Sequence, residues 1–380
     1  MLIVSWGGGG NFPPALALAA RLVAAGHDVA LLADAAPAER SVAEAVARSG
    51  AQLLEYRSVE PWPAGVSLEE DPARFHEMRN GLATAHDVLA AAAQFRPDVV
   101  VVDCMLGAGL VAAERLGLPT AVLVHVLYQP FVCFWGDISV NVSQCRKAFG
   151  MADLAAPATL DQLRRAAKVL VLVPEAFDYP GAPRGDETHY VGPILDPAPP
   201  GTPHDLGFDP TDDRPLVLVS LSTTPMRQQE ALPPILEALA GLSVRGLLTL
   251  GGIAVELPSV PPNVAVHRYL PHAEVLPLVS AVVTHAGLST VMASIAHGIP
   301  LLCIPQGREQ PLNAARVQAC GAGITLEAGA ASESIAAALT AVLDDPSYAD
   351  AARRLAASID ALGRGQAAVD HVLSLIGSGP

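Results

Sequence analysis

Apolar residues fall in two rhythms along this chain. Short runs of consecutive Val, Leu, Ile and Ala alternate with longer Ala-rich stretches that carry polar residues at helical spacing. A run without polar alternation predicts a strand covered on both faces, and the order strand, helix, strand predicts parallel pairing. Leu2–Trp6 reads as the first strand, Gly7–Gly10 as a turn, and Pro13 to Ala25 as a helix. Gly26-His27-Asp28 then turns into strand Val29–Ala33. Strand Val99–Val102 ends at Asp103, a helix follows over Ala108–Leu116, and Gly117-Leu118-Pro119 leads into strand Ala121–His125. Residues 57–80 and 126–150 break the alternation and read as irregular loops. Residues 196–215 are too rich in Pro and Asp for either element and read as a linker.

Beyond that linker the rhythm restarts. Strand Leu216–Leu221 precedes a helix near Glu230–Leu239. Strands Gly246–Leu250, Val264–Arg268 and Ala281–Thr284 follow, then a helix to Ala296 and strand Leu301–Ile304. Helices from Tyr348 to Ala361 and from Gln366 to Ile376 close the chain. The expected class is α/β, with two doubly wound domains that bind ligands at the carboxyl ends of their strands. The boundaries read as 1–200 for the first domain, 201–215 for the linker and 216–360 for the second domain. Residues 361–380 read as a C-terminal helix able to pack back on the first domain.

Composition narrows the function classes. A chain of 380 residues suits two domains, and 51% hydrophobic against 16% charged residues supplies a large core. The net charge of −15 argues against nucleic acid or an anionic membrane as partner. The five Cys (104, 133, 145, 303 and 320) show no Cys-x-x-Cys spacing. They read as buried thiols of a reducing compartment, with neither a disulfide nor a metal role. No signal-peptide pattern opens the chain, and no uncharged span of about 20 apolar residues appears. A cytoplasmic protein is therefore expected, and association into a homodimer stays open.

The most informative stretch is Val282-Val283-Thr284-His285-Ala286-Gly287-Leu288-Ser289-Thr290-Val291-Met292. It reads as a buried strand that stops at a His, turns on small residues and restarts as a helix. Such a helix presents free N–H groups and the positive end of its dipole. His285, Ser289 and Thr290 add donors, and the small Ala286 and Gly287 admit an anion close to the backbone. That is the chemistry of a diphosphate site. The same turn could instead serve only to cap a helix. Two further polar clusters follow strand ends. Glu309 and Gln310, in Pro305-Gln306-Gly307-Arg308-Glu309-Gln310-Pro311-Leu312-Asn313-Ala314, could bond the hydroxyls of a sugar. Arg268-Tyr269-Leu270-Pro271-His272 carries an aromatic face able to stack on a nucleobase. Trp62, Phe75, Phe131, Phe134 and Trp135 are concentrated in the two irregular segments of a chain with only 4% aromatics. They suggest an apolar pocket or a plug at the domain end.

The run from Arg268 to Val317 resembles the donor-binding signature of family 1 nucleotide-sugar-dependent glycosyltransferases. It most resembles the actinobacterial enzymes that glycosylate antibiotics and other aromatic or macrocyclic natural products. The resemblance implies a GT-B fold, two Rossmann-like domains facing a cleft. It also implies a nucleotide sugar as cosubstrate, a lipophilic or aromatic acceptor, and no further cofactor. It puts His285, Ala286, Gly287, Ser289 and Thr290 at the diphosphate. Tyr269 and Leu270 fall at the base with His272 beside its edge, Glu309 and Gln310 at the sugar, and Ser222 and Thr223 near the phosphates. Gly10 and Phe12, with the aromatic segments, fall on the acceptor side.

Three departures from the family pattern bear on chemistry. Glu309 replaces the usual Asp. Ala293 stands where many relatives carry a Glu that clasps the ribose hydroxyls, which makes a dTDP-sugar at least as suitable as a UDP-sugar. Asn11 stands where relatives carry the His that serves as general base, and an amide takes no proton. Asn11 reads as a helix N-cap before Pro13. The proton acceptor is then sought among Asp103, which partners the base in relatives, Asp137 among the aromatics, and His125. His125 ranks below the two Asp residues, because a lone strand-end His is usually structural. Loss of the base suits acceptors needing little deprotonation, either acidic phenols or aromatic carbons undergoing C-glycosylation. No Asp-x-Asp motif appears, so no divalent-metal clamp is expected. The leading expectation is inverting transfer of a sugar to a small aromatic or polyketide acceptor. A nucleotide-sugar 2-epimerase and a non-catalytic binding protein are the alternatives.

Overall fold

The computed structural model describes residues 1–7, 9–34, 42–60, 72–134, 139–154, 158–181, 184–195, 204–221, 228–251, 257 and 259–377. The chain divides into two compact units, residues 1–195 with 362–380, and residues 196–361.

The first unit is built on strands β1 (Leu2–Val4), β2 (Ala30–Ala33), β3 (Gln52–Glu55), β4 (Val100–Asp103), β5 (Thr120–Val124), β6 (Lys168–Val171) and β7 (Thr188–Tyr190). Their spatial order is β3-β2-β1-β4-β5-β6-β7 and all pairs are parallel. The apolar runs explain this. β1, β2, β4 and β5 are buried at every position, which requires helices on both faces of the sheet. The sheet reverses direction between β1 and β4, paired Val4 to Val102. Ligands of open α/β sheets bind at such a reversal, beyond the carboxyl ends of the strands.

The second unit repeats the plan with β8 (Leu216–Ser220), β9 (Arg245–Thr249), β10 (Val264–His267), β11 (Ala281–Thr284), β12 (Leu301–Cys303) and β13 (Gly323–Thr325). The order is β10-β9-β8-β11-β12-β13, again all parallel. Its reversal lies between β8 and β11, where Ser220 pairs with Thr284.

Helix Gln366–Leu373 belongs to the first unit. Ala368, Val369 and Val372 enter one core cluster with Leu18, Leu22, Leu170 and Val191. The Arg21 guanidinium donates to the carbonyls of Leu195 and Arg364, tying together the points where the chain leaves and re-enters this unit. Within the two segments read as irregular, Pro72–Asn80, Tyr128–Phe134 and Ser139–Ala148 are short helices. Their apolar positions are too few and too interrupted to show a 3.6-residue period in sequence. Among the described residues no helix is long and apolar enough to cross a membrane.

Candidate functional site

In the second unit, β11 ends at Thr284 and helix Leu288–Ala296 begins three residues after His285, with Gly287 as N-cap and no side-chain cap bond from it. Gly287 has no side chain with which to claim the first N–H groups. The turn is tight because Ala286 is left-handed, at φ 65°. That conformation costs a residue bearing a Cβ roughly 1–2 kcal/mol. Two contacts hold it. The Asn313 amide donates to the Ala286 carbonyl at 3.0 Å, and the Ala286 N–H reaches Thr284 Oγ1 at 3.3 Å. Asn313 is fully buried, and sequence reasoning gave it no role. Its only sequence signal was its place at the end of the polar cluster after β12.

The His285 ring folds over Gly287. A Cβ there would stand 2.5 Å from His285 Nε2 and 2.8 Å from Cε1, so the glycine is required by the ring and not by its own φ of −60°. Burial lowers the His285 pKa to about 4, the Arg308 cation adds to that lowering, and a hydrogen bond with the Ser220 backbone opposes it. The imidazole is thus neutral near neutral pH, one nitrogen a donor and the other an acceptor. His272 sits beside the same strand end, with Nε2 3.1 Å from Ser220 Oγ. Burial and neighbouring His297 lower its pKa as well. Tyr269 is 41% exposed, Leu270 is buried, Ser289 is exposed and Thr290 is buried. Glu309 is exposed at the N-cap of helix Gln310–Ala319. Gln310 is buried and its Oε1 accepts from the Gln306 N–H, so this amide shapes the loop around Gly307 and Arg308. Ser222 and Thr223 lie outside the described residues.

At the reversal of the first sheet, Asn11, Asp103 and His125 meet. The Asn11 amide nitrogen donates to Asp103 Oδ2 at 3.1 Å and to the Trp6 carbonyl at 3.0 Å. Asn11 does stand at the N-cap of helix Phe12–Ala24, but its side chain does not cap it. Its backbone is already helical, at φ −83° and ψ −32°, and its amide nitrogen is turned to the Asp103 carboxylate. Asp103 Oδ1 accepts from the Met105 N–H at 2.8 Å and stands 3.1 Å from His125 Nε2. His125 is therefore not the lone strand-end imidazole its position suggests. Burial pushes its pKa down, but the Asp103 carboxylate and the contact with Cys104 outweigh that and hold it well above the usual His value. The Cys104 thiol is pushed up by burial and stays protonated. Among the described residues Asp103, Cys104 and His125 are the one group of metal-ligand types whose donor atoms all lie within 4.8 Å of one another.

The remaining acceptor-side residues are scattered. Gly10 is exposed, Phe12 is half-buried against the first core cluster, and Phe131 is buried within helix Tyr128–Phe134. Trp62, Trp135 and Asp137 lie outside the described residues, as do the side chains of Phe75 and Phe134. Three residues near this end were missed by sequence reasoning. Tyr56 donates to the Ser5 carbonyl, and Arg79 pairs with Asp34 at 2.7 Å while lying 4.6 Å over the Trp6 ring.

Comparison with known proteins decides the family. Residues 246–374 match the erythromycin biosynthesis protein CIII-like C-terminal domain, and residues 12–189 match a glycosyl transferase 4-like domain. The 4'-demethylrebeccamycin synthase of Lentzea aerocolonigenes is 32% identical over 71% of this chain and 72% of its own. The demethyllactenocin mycarosyltransferase of Streptomyces fradiae is 30% identical over 81% of this chain and 71% of its own. This chain belongs to the antibiotic glycosyltransferases. The solved glycosyltransferase of kitacinnamycin superposes with a TM-score of 0.81 at 24% identity, over 99% of this chain and 98% of that one. The calicheamicin glycosyltransferase gives 0.79 at 23%, with the same coverage. The fold of this glycosyltransferase is accordingly GT-B, two Rossmann-like units with parallel sheets.

Proposed function

We propose that this glycosyltransferase moves a hexose from a dTDP- or UDP-sugar to a small aromatic or polyketide acceptor, by single displacement with inversion and without a divalent metal. One observation carries the reading. The neutral His285 lies over Gly287 at an uncapped helix start, beside Ser220 and His272 at the sheet reversal. Such a site offers backbone N–H groups, a helix dipole and an imidazole donor to the two negatively charged phosphates. Those fixed dipoles meet the charge that develops on the leaving diphosphate, which is the task a metal clamp performs elsewhere.

Two structures of the same fold were solved with thymidine diphosphate bound, the glycosyltransferase VinC and the spinosyn rhamnosyltransferase SpnG. Ala293 on helix Leu288–Ala296 leaves a ribose 2′-hydroxyl without a carboxylate partner, which favours dTDP here. Asn11 in place of a His favours acceptors that give up a proton readily, a phenol or an electron-rich aromatic carbon. O- and C-glycosides are both within that chemistry.

The test is titration calorimetry with dTDP and UDP on the wild type and His285→Ala, followed by product analysis with a phenolic panel. His285→Ala is expected to weaken dTDP binding at least about tenfold, or ~1.4 kcal/mol. Unchanged affinity would remove the donor site. An epimerised free sugar in place of a glycoside would favour the 2-epimerase, and a glycoside of retained configuration would exclude single displacement.

A further inference from the structure

Asp103 is fully spoken for. Its Oδ2 holds the Asn11 amide, and its Oδ1 holds the Met105 N–H and the His125 ring. It is also 2% exposed. A carboxylate bonded on both oxygens and sealed from solvent orients its neighbours and does not itself reach an acceptor. The Asn11 amide cannot be turned the other way, because its nitrogen faces a carbonyl and a carboxylate, both pure acceptors. It therefore locks the carboxylate from one side.

On the other side stands His125, just past the end of β5, one strand over from the sheet reversal. Its Nε2 points at Asp103, so in the neutral ring Nε2 carries the hydrogen and Nδ1 the lone pair. Its side chain keeps 13% exposure against 3% for Asp103, so it is the less buried of the pair. A carboxylate that fixes the tautomer and supports the imidazolium is the arrangement of a general base and its orienting partner.

We infer that His125, held by Asp103, takes the acceptor's proton, and that Asn11 positions Asp103 for it. This rests on the glycosyl-transfer reading above. In the step, the phenolic O–H bond breaks and its proton moves to His125 Nδ1. The electron pair left on oxygen forms the bond to the anomeric carbon. The bond from that carbon to the diphosphate breaks with its pair going to the diphosphate oxygen. Attack by a ring carbon would start from the same phenolate, and the ring would then lose that carbon's C–H proton to water to become aromatic again.

Among the described residues the charged and titratable groups acting on this ring are Asp103 and the Cys104 thiol, with Tyr56 near Asp103. Cys104 also hydrogen-bonds the ring, a weak contact that an acceptor hydroxyl would displace. Asp103 raises the basicity of His125 toward that of a phenol, which eases the transfer and moves the working range above neutral pH.

The experiment compares wild type and His125→Gln on a series of phenols of graded acidity, with dTDP affinity measured in parallel. A base contributes about 10²–10⁴ in rate where a proton must be removed and little where the phenol is already ionised. The loss in His125→Gln is therefore expected to reach about a hundredfold for weakly acidic phenols and to shrink to about threefold or less for strongly acidic ones. dTDP affinity should not change. The wild-type kcat/KM for a weak phenol should rise through one ionisation above neutral pH, and His125→Gln should lose that limb. Adding Asn11→His to His125→Gln should restore part of the rate, since Asp103 Oδ2 already faces residue 11. A loss independent of phenol acidity, or no loss, overturns the assignment while leaving the donor site intact. No transfer by the wild type to any acceptor, with dTDP still bound, overturns the function and this assignment with it.

Discussion

The turn proposed to hold the donor depends on one missing methyl group. At Gly287 the backbone would accept any residue, since φ is −60°, yet a Cβ would strike the His285 ring. Gly287→Ala is therefore expected to displace the imidazole and cost at least about tenfold in dTDP affinity, ~1.4 kcal/mol, with an unchanged circular dichroism spectrum. Unaltered affinity would mean that the ring position is irrelevant to the nucleotide. The same imidazole makes the fold acid-sensitive. Its folded pKa of about 4 lies below the unfolded value, so the unfolded chain binds the proton first. Its contribution is fully present above about pH 6.5 and declines as the pH falls toward about 4, by a few kcal/mol in all. Denaturant midpoints at about pH 7 and pH 5 check this, and His285→Gln should flatten the difference. This turn was legible in the sequence because every part of it is local. A strand end, two small residues and a helix start follow one another within a few positions.

The C-terminal helix carries a second acid-sensitive contact. The His371 ring stacks on His189 of β7 with centroids 4.2 Å apart, and Lys168 Nζ of β6 lies 3.4 Å from His189 Nε2. Burial lowers the pKa of both imidazoles, Lys168 lowers both further, and His189 lowers that of His371. Glu187 opposes this at His189 and Asp370 at His371. Protonation would set positive charges against each other, so the contact is stable above the unfolded His pKa and weakens as pH falls through it. Hydrogen exchange of residues 366–373, corrected for intrinsic rates, should lose protection between about pH 7.5 and pH 5.5. His371→Phe keeps the ring and removes the titration, so its protection should depend less on pH. Equal dependence in both proteins would locate the sensitivity elsewhere. Sequence showed this helix as an apolar-periodic segment, but not its stacking partner, which lies far back along the chain.

Two units with the same sheet plan are assembled differently from the chain. The second is continuous, residues 196–361, while the first is completed only by residues 362–380. A fragment ending at residue 195 would lose Ala368, Val369 and Val372 from its core and expose the face that Leu18 and Leu22 present. Burial of apolar side chains is the main stabilising term, so this fragment is expected to bind hydrophobic dyes and to aggregate. A fragment of residues 204–361 keeps its whole second core and should melt cooperatively and bind dTDP. Loss of nucleotide binding by that fragment would mean that the donor site is not contained in the second unit.

Read alone, the sequence determined the class of the fold, the parallel sheets and the strand-to-helix turn after His285. Each of these is written in neighbouring residues, as unbroken apolar runs, turn residues and a helix start. It also marked Asn11 as unable to act as a base, because that follows from the side chain itself. The partners of Asp103 were a different matter. Asn11 and His125 reach it from 92 and 22 residues away. Only the strand order of the first sheet, which sets β1 beside β4 and β4 beside β5, brings them to one carboxylate. A hydrogen bond between distant residues leaves no periodicity in the chain. For that reason His125 ranked below the two Asp residues as a proton acceptor and Asn11 read as a cap, and the folded sheet made them a bonded group.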